Sequence, residues 1–154
     1  MSRRRFVAST AISASADAVF DWHEAPGAFE RLTPPWERVR VLSRQGGITN
    51  GARVVLAVGP WPFSLRWELE HRDYQKGRSF CDQQVAGPFK YWRHVHSMSP
   101  KGPHACVLED AIDYELPLGL VGDLVGHPIV QRKLTRLFAY RHDATRNAFA
   151  AERG

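Results

Sequence analysis

The chain has 154 residues, 44% of them hydrophobic, and a net charge of +5. That is the length of one ordinary domain with the apolar content of a folded protein, and no window approaches the ~20 apolar residues of a membrane helix. The positive charge raises nucleic acid as a partner, but the basic residues are scattered and no basic run is interleaved with aromatics, so nucleic-acid binding is not expected.

The opening "MSRRRFVASTAISASADA" has the arginines and small residues of a secretion signal. Its apolar run is interrupted by Ser9, Thr10 and Ser13, while Phe6, Ala8, Thr10 and Ile12 alternate. That spacing predicts a first strand over 3–13. "ADAVFDWHE" and "PGAFERL" read as two short helices, with Ser15 and Asp17 as start signals and Pro26-Gly27 as the break between them. After a stiff turn at 33–36 come six strand-like runs, near 37–45, 52–58, 63–73, 78–86, 89–99 and 104–115. Gly-Gly, Asn-Gly, Gly-Pro and Lys-Gly pairs punctuate them, which suggests an antiparallel meander. "PLGLVGDLVGHP" reads as a loop with one helical turn. From Pro128 one long helix is expected to about Ala150, with Ile129, Leu134, Leu137, Phe138 and Tyr140 or Arg141 at helical spacing. A curved sheet covered by a long helix is an α+β arrangement that leaves room for a pocket between the layers.

Two cysteines, Cys81 and Cys106, match no zinc spacing and are too few for a disulfide framework. Buried thiols in a reducing cytosol are the expectation, hence a cytoplasmic protein.

Strand periodicity sets the inner faces. Trp92, His94, His96 and Met98 share one face of 89–99, and Cys106, Leu108, Asp110, Ile112 and Tyr114 share the apolar face of 104–115. Phe63, Leu65, Trp67 and Leu69 oppose Arg66, Glu68 and Glu70. In 78–86, periodicity does not decide between the Phe80, Asp82, Gln84 face and the Cys81, Gln83, Val85 face. A turn centred near Gly102 predicts Met98 opposite Cys106, His96 opposite Leu108, His94 opposite Asp110 and Trp92 opposite Ile112. The turn at Gly87-Pro88 brings Asp82 to the same level if its face is the inner one.

His94 and Asp110 are therefore expected as inner-face neighbours. The carboxylate favours a charged imidazole and burial opposes it. One reading is a satisfied buried polar cluster. Another is a set of polar anchors on a cavity wall: Trp92, His94, His96, Asp110 and Tyr114, with Asp82 and Gln84. A third is a metal site, since H-x-H on a strand can chelate. Such a site needs a third ligand and often a fourth. His71 and His104 read as strand ends, His23 belongs to the first helix and His142 to the last, so no metal is expected.

Four stretches in order, "VFDWHEAPGAFERLTPPWERVRV", "GPFKYWRHVHSM", "LEDAIDYELPLG" and "LFAYRH", resemble the SRPBCC superfamily, also called START-like or Bet v 1-like. Within it they look like the bacterial polyketide cyclase/dehydrase group. The resemblance spans nearly the whole chain and implies a single START-like domain over 1–154. It implies a helix-grip fold: a seven-stranded antiparallel sheet wrapped around a long C-terminal helix, two short helices after the first strand, and a deep cavity. Met98 stands where an aromatic would be expected, which would widen the cavity locally.

With that fold, the expected function is binding of a small, largely hydrophobic ligand, lipid-like or polyketide-like. The expected contacts are Trp67, Phe80, Asp82, Gln84, Trp92, His96, Met98, Leu108, Ile112, Phe138 and Arg141. The alternative is an aromatase/cyclase-type enzyme in which His94 is general acid or base, Asp110 orients it and Tyr114 donates a proton to a carbonyl. No G-x-S-x-G motif and no Gly-rich phosphate loop is present, so neither a nucleophile nor a nucleotide cofactor is expected. A second alternative is a protein-interaction domain with a vestigial cavity, anchored by Trp36 or Trp61. "GPWPF" at 59–63 is otherwise read as a hydrophobic lid. Oligomeric state is left open, with no coiled-coil pattern and no long exposed strand.

Overall fold

β1 (Arg4–Ile12) leads into α1 (Ala16–Glu24) and α2 (Ala28–Arg31). Six strands follow: β2 (Val39–Gln45), β3 (Arg53–Val58), β4 (Leu65–Gln75), β5 (Ser79–Ala86), β6 (Tyr91–Pro100) and β7 (Cys106–Glu115). A short α3 (Gly119–Val121) and a π-helical turn (Gly122–Gly126) then run into α4 (His127–Ala151). The computed structural model describes residues 2–151; residues 1 and 152–154 of the expected domain lie outside them. The strands form one antiparallel seven-stranded sheet in the order β1-β7-β6-β5-β4-β3-β2. This is the helix-grip arrangement, with α4 against the inner face.

Local chemistry accounts for the boundaries. Ser15 caps α1 by accepting from the Ala18 amide at 3.1 Å, which satisfies one of the free N–H groups of the first turn. Gly27, at φ 84°, takes the left-handed conformation that starts α2. Helical structure begins at Gly119, nine residues before the expected start at Pro128. Pro128 falls where the π turn gives way to α4, so its missing N–H is lost at an already irregular junction.

The inner faces match the alternation in the sequence. Burial strictly alternates along β7 and along β6 as far as Met98. β5 turns Phe80, Asp82 and Gln84 inward, while Cys81 is covered on the other side. On α4 the buried stripe is Leu134, Phe138, His142, Thr145 and Phe149, a spacing that keeps one face of a helix toward the sheet. Two apolar clusters result. Ile12, Val19, Phe20, Phe80, Met98, Leu108 and Phe149 pack at one end. Phe6, Leu56, Leu69, Trp92, Ile112, Tyr114, Leu134 and Phe138 pack at the other.

The pairing of β6 with β7 differs from expectation by two residues. Pro100 pairs with Cys106, and the Lys101 amide bonds to the Ala105 carbonyl at 2.8 Å, so the loop centres on Pro103 and not on Gly102. Asp110 is thus opposite His96, His94 faces Ile112, Trp92 faces Tyr114 and Met98 faces Leu108. Because the shift is even, every side chain stays on its expected face. β4 also runs further than expected, to Gln75, with an irregularity between Arg72 and Gln75 and Asp73 at φ 52°. His71 therefore lies within the strand and points inward, not at its end.

The β3–β4 loop and the segment after β7 lie at the same end of the sheet. Both are apolar and exposed: Trp61 is 80% and Phe63 81% exposed, as are Leu118 at 81% and Leu124 at 80%. Among the described residues no helix is long and apolar enough to cross a membrane.

Candidate ligand cavity and its polar layer

Between the sheet and α4 lies a cavity of about 640 Å³. Its walls are mostly apolar: Leu56, Trp67, Leu69, Phe80, Phe89 and Trp92 from the sheet side, Phe29 from α2, and Leu134, Leu137 and Phe138 from α4. The polar groups on the wall include His23, His71, Asp82, His94, His96 and Arg141. A cavity of this size, mainly apolar with a few placed polar groups, suits a small organic ligand.

Four of those polar groups, His71, Asp82, His94 and His96, belong to a layer that crosses the fold between the two apolar clusters. Each element that crosses the layer contributes to it: Thr10 from β1, Asp110 from β7, His94 and His96 from β6, Asp82 from β5, His71 from β4 and His142 from α4. Asp110 is the hub. Its Oδ1 accepts from His94 Nε2 at 2.7 Å and lies 2.9 Å from His96 Nδ1, and its Oδ2 accepts from His142 Nε2 at 2.6 Å. His142 Nδ1 is hydrogen-bonded to the Thr10 hydroxyl at 2.8 Å. His96 Nε2 donates to Asp82 Oδ2 at 2.8 Å. His71 Nδ1 lies 2.6 Å from Asp82 Oδ1, close enough for an ion pair but without the alignment of a hydrogen bond. The His94 and His96 rings lie 3.7 Å apart, and Phe80 stacks on His96 at 4.1 Å.

The layer sorts its charges. Burial works against ionising Asp110, but hydrogen bonds from His142, His94 and His96 outweigh it and hold the carboxyl well below its usual range. Asp82 is likewise held low, against its own burial, by His71 and His96. Burial also disfavours a charged His96, yet bonds to Asp110 and Asp82 raise it to about 9. His94, next to that charge and equally buried, is lowered to about 4, mainly by burial and then by His96. His23 is lowered to about 4 by burial, while its bond to the Val19 carbonyl opposes the shift. His96 is thus an imidazolium clamped between two carboxylates, and His94 is a neutral ring whose Nε2 carries the proton.

The other sequence-predicted residues fall in different places. Trp67, Phe80, Asp82, Trp92, His96, Phe138 and Arg141 line the cavity, as does His94. Asp110 lies behind that wall, reaching it through His94 and His96. Met98, Leu108 and Ile112 are buried in the apolar clusters and are not part of the lining. Gln84 spends its amide on the backbone of Phe89. Tyr114 donates to His127 Nδ1 at 2.6 Å and accepts from Gln131 at 2.9 Å, away from the lining. Trp36 packs on Tyr140 and under Arg136, and neither it nor Trp61 or Phe63 touches the cavity.

Sequence reasoning left His71 and His142 without a place. The signal for His142 was present: it stands four residues after Phe138 on the stripe that α4 buries. The ligating atoms of Asp82, His94 and His96 lie within 4.8 Å of one another, but both His96 nitrogens carry protons given to carboxylates, so a divalent cation there would have to displace one of them.

The chain matches, over residues 12–138, the family described as polyketide cyclase / dehydrase and lipid transport. It belongs to that family. A search of curated proteins by sequence finds no match. Among solved structures, a norcoclaurine synthase point mutant from Thalictrum flavum, in complex with a transition state analogue, is similar at a TM-score of 0.71 and 16% identity, covering 100% of this chain and 99% of that one. An aromatase/cyclase from Streptomyces has a TM-score of 0.70 at 17% identity, with 97% and 94% covered. A START superfamily protein from Mycobacterium smegmatis has a TM-score of 0.69 at 16% identity, with 97% and 99% covered. At these identities the likeness is one of fold, and the family member's own chemistry has to be read from its own cavity.

Proposed function

We propose that this family member binds a small, largely hydrophobic molecule in the cavity between the sheet and α4. The observation that carries the reading is the cavity of about 640 Å³, apolar along most of its wall and polar at the His94, His96 and Asp82 end. An apolar body would gain from leaving water, at roughly 25 cal/mol per Å² removed, and the polar end would fix its orientation. The test is titration of untagged protein with hydrophobic fluorophores and fatty acids, following Trp67 and Trp92 fluorescence, alongside native mass spectrometry. Saturable one-to-one binding that competes between ligands is expected. Absence of saturation by every probe would count against the cavity as a binding site.

A second reading, general-base catalysis of the cyclase type, is favoured by the neutral His94 ring on the cavity wall, whose Nε2 proton is given to Asp110 and whose Nδ1 is left unprotonated. His94 Nδ1 would take a proton from carbon beside a carbonyl, and Arg141 on the same lining would hold the oxygen of the resulting enolate, since both His96 protons are already given to Asp82 and Asp110. The substrate becomes its enolate, and one proton has moved from substrate carbon to His94. His94→Gln would then abolish deuterium exchange into a bound ketone while leaving its binding within a few-fold of wild type. Exchange that survives the substitution would remove His94 from the chemistry.

A further inference from the structure

Hydrogen-bond bookkeeping along the cavity wall is uneven. The two carboxylates of the polar layer are spent. Asp82 meets His96 and His71, and Asp110, just behind, meets His94, His96 and His142. One strong donor on the lining is not spent in this way. Arg141 projects from α4 into the lining with its guanidinium carbon 5.3 Å from the Phe138 ring centre, and its Nε donates to the Leu32 carbonyl at 3.2 Å. Among the described residues no carboxylate oxygen lies within 4.0 Å of that guanidinium. Glu37 shares the lining and acts on it only through space, as do Asp82 and Asp110. Trp67 also lines the cavity, but its unpartnered Nε1 is fully buried, on the edge of the ring that packs against Gly87, and is not open to a ligand.

Buried donors are nearly always paired in native structures, and a guanidinium pairs best with a planar, two-oxygen anion. We propose that the ligand of this cavity is a hydrophobic carboxylate, its anionic end on Arg141. The inference deepens the binding reading above and rests on it. It also sets a direction of selectivity. An amine would meet Arg141 and His96 at the polar layer, whose carboxylate oxygens imidazoles already occupy, and would have to turn to Glu37 elsewhere on the lining. An alcohol would fill the same apolar space with no charge to pair.

Calorimetry with a matched set of aromatic probes tests this: naphthoate, naphthalenemethanol and naphthalenemethylamine, each titrated into untagged wild-type protein and into Arg141→Gln. The wild type is expected to bind naphthoate at least tenfold more tightly than the alcohol and the amine most weakly. Arg141→Gln should bring naphthoate down to the level of the alcohol and leave the alcohol unchanged. If the wild type binds acid and alcohol equally, or prefers the amine, the carboxylate inference is overturned while the cavity reading stands. If the acid preference survives Arg141→Gln, Arg141 is not its cause and the inference fails. If none of the three binds at millimolar concentration, both the inference and the cavity reading fail. The wild-type comparison decides the matter alone should the variant not fold.

Discussion

His142 Nε2 lies 2.6 Å from Asp110 Oδ2, joining the middle of α4 to the strand beside β1 through the buried interior. Both residues are buried, at 4% and 3% exposure, so water cannot replace either partner without opening the fold. His142→Leu leaves one carboxylate oxygen short of a donor and frees the Thr10 hydroxyl. A loss of about 1–3 kcal/mol in stability is expected. Urea unfolding with an unchanged slope checks it, and a midpoint equal to wild type would show that the contact contributes nothing.

Asp110→Asn should be worse, because three imidazoles lose a charged acceptor at once. Removing one member of a buried ion pair typically costs about 3–5 kcal/mol. Asp110→Asn with Asp82 intact should also lower the His96 pKa below about 9, the value held by both carboxylates. NMR titration of the histidine ring protons reads this directly. A His96 value unmoved by the substitution would mean that Asp82 alone holds the imidazolium.

Stability should peak at about pH 6.5 and fall on both sides of it. His23 and His94 are lowered to about 4 in the fold, so their contribution is full above the ordinary histidine value near 6.5 and is lost as pH falls from there toward 4. His96 has the opposite sign. Raised to about 9, its contribution is full below the ordinary value and is lost as pH rises from there through 9. Each group contributes a slope on the order of 1 kcal/mol per pH unit inside its window. His23→Gln should flatten the acid limb and leave the alkaline limb alone. An identical acid limb in that variant would assign the loss elsewhere.

Gly87 touches the cavity indirectly. A Cβ at this position would overlap the Trp67 indole and the Gln84 side chain. Gly87→Ala should displace Trp67, which packs against Trp92 at a centroid distance of 4.9 Å. Overpacking of this kind costs about 1–3 kcal/mol. Ligand affinity and the tryptophan emission maximum should shift together; a stability loss with unchanged binding would place Trp67 outside the ligand's reach.

Much of this was legible from period-2 alternation. It put Trp92, His94, His96, Asp110 and Tyr114 on one side of the sheet, and an even register error could not undo that. The register itself was not legible. Gly102, at φ 83°, marks a left-handed residue in the β6–β7 loop but not its midpoint, and the sequence shows no bond like that between Lys101 and Ala105. β5 was ambiguous because both of its faces are covered at Phe80 and Cys81. His71 and His142 were missed for a shared reason: a polar residue on an apolar stripe reads as a break in the pattern until its partner, on a strand far away in sequence, is known.

The two cysteines give the molecule built-in reporters of its own opening. Cys81 and Cys106 are 0% and 1% exposed, and burial raises both thiols, Cys81 to about 11. An alkylating reagent needs a thiolate it can reach, so in the closed fold both sites are inert. Labelling rates at Cys81 and Cys106 therefore time two separate events, the parting of the sheet centre at β5 and the release of β7 from β1. Comparing the two clocks with and without ligand would show which part of the sheet yields first.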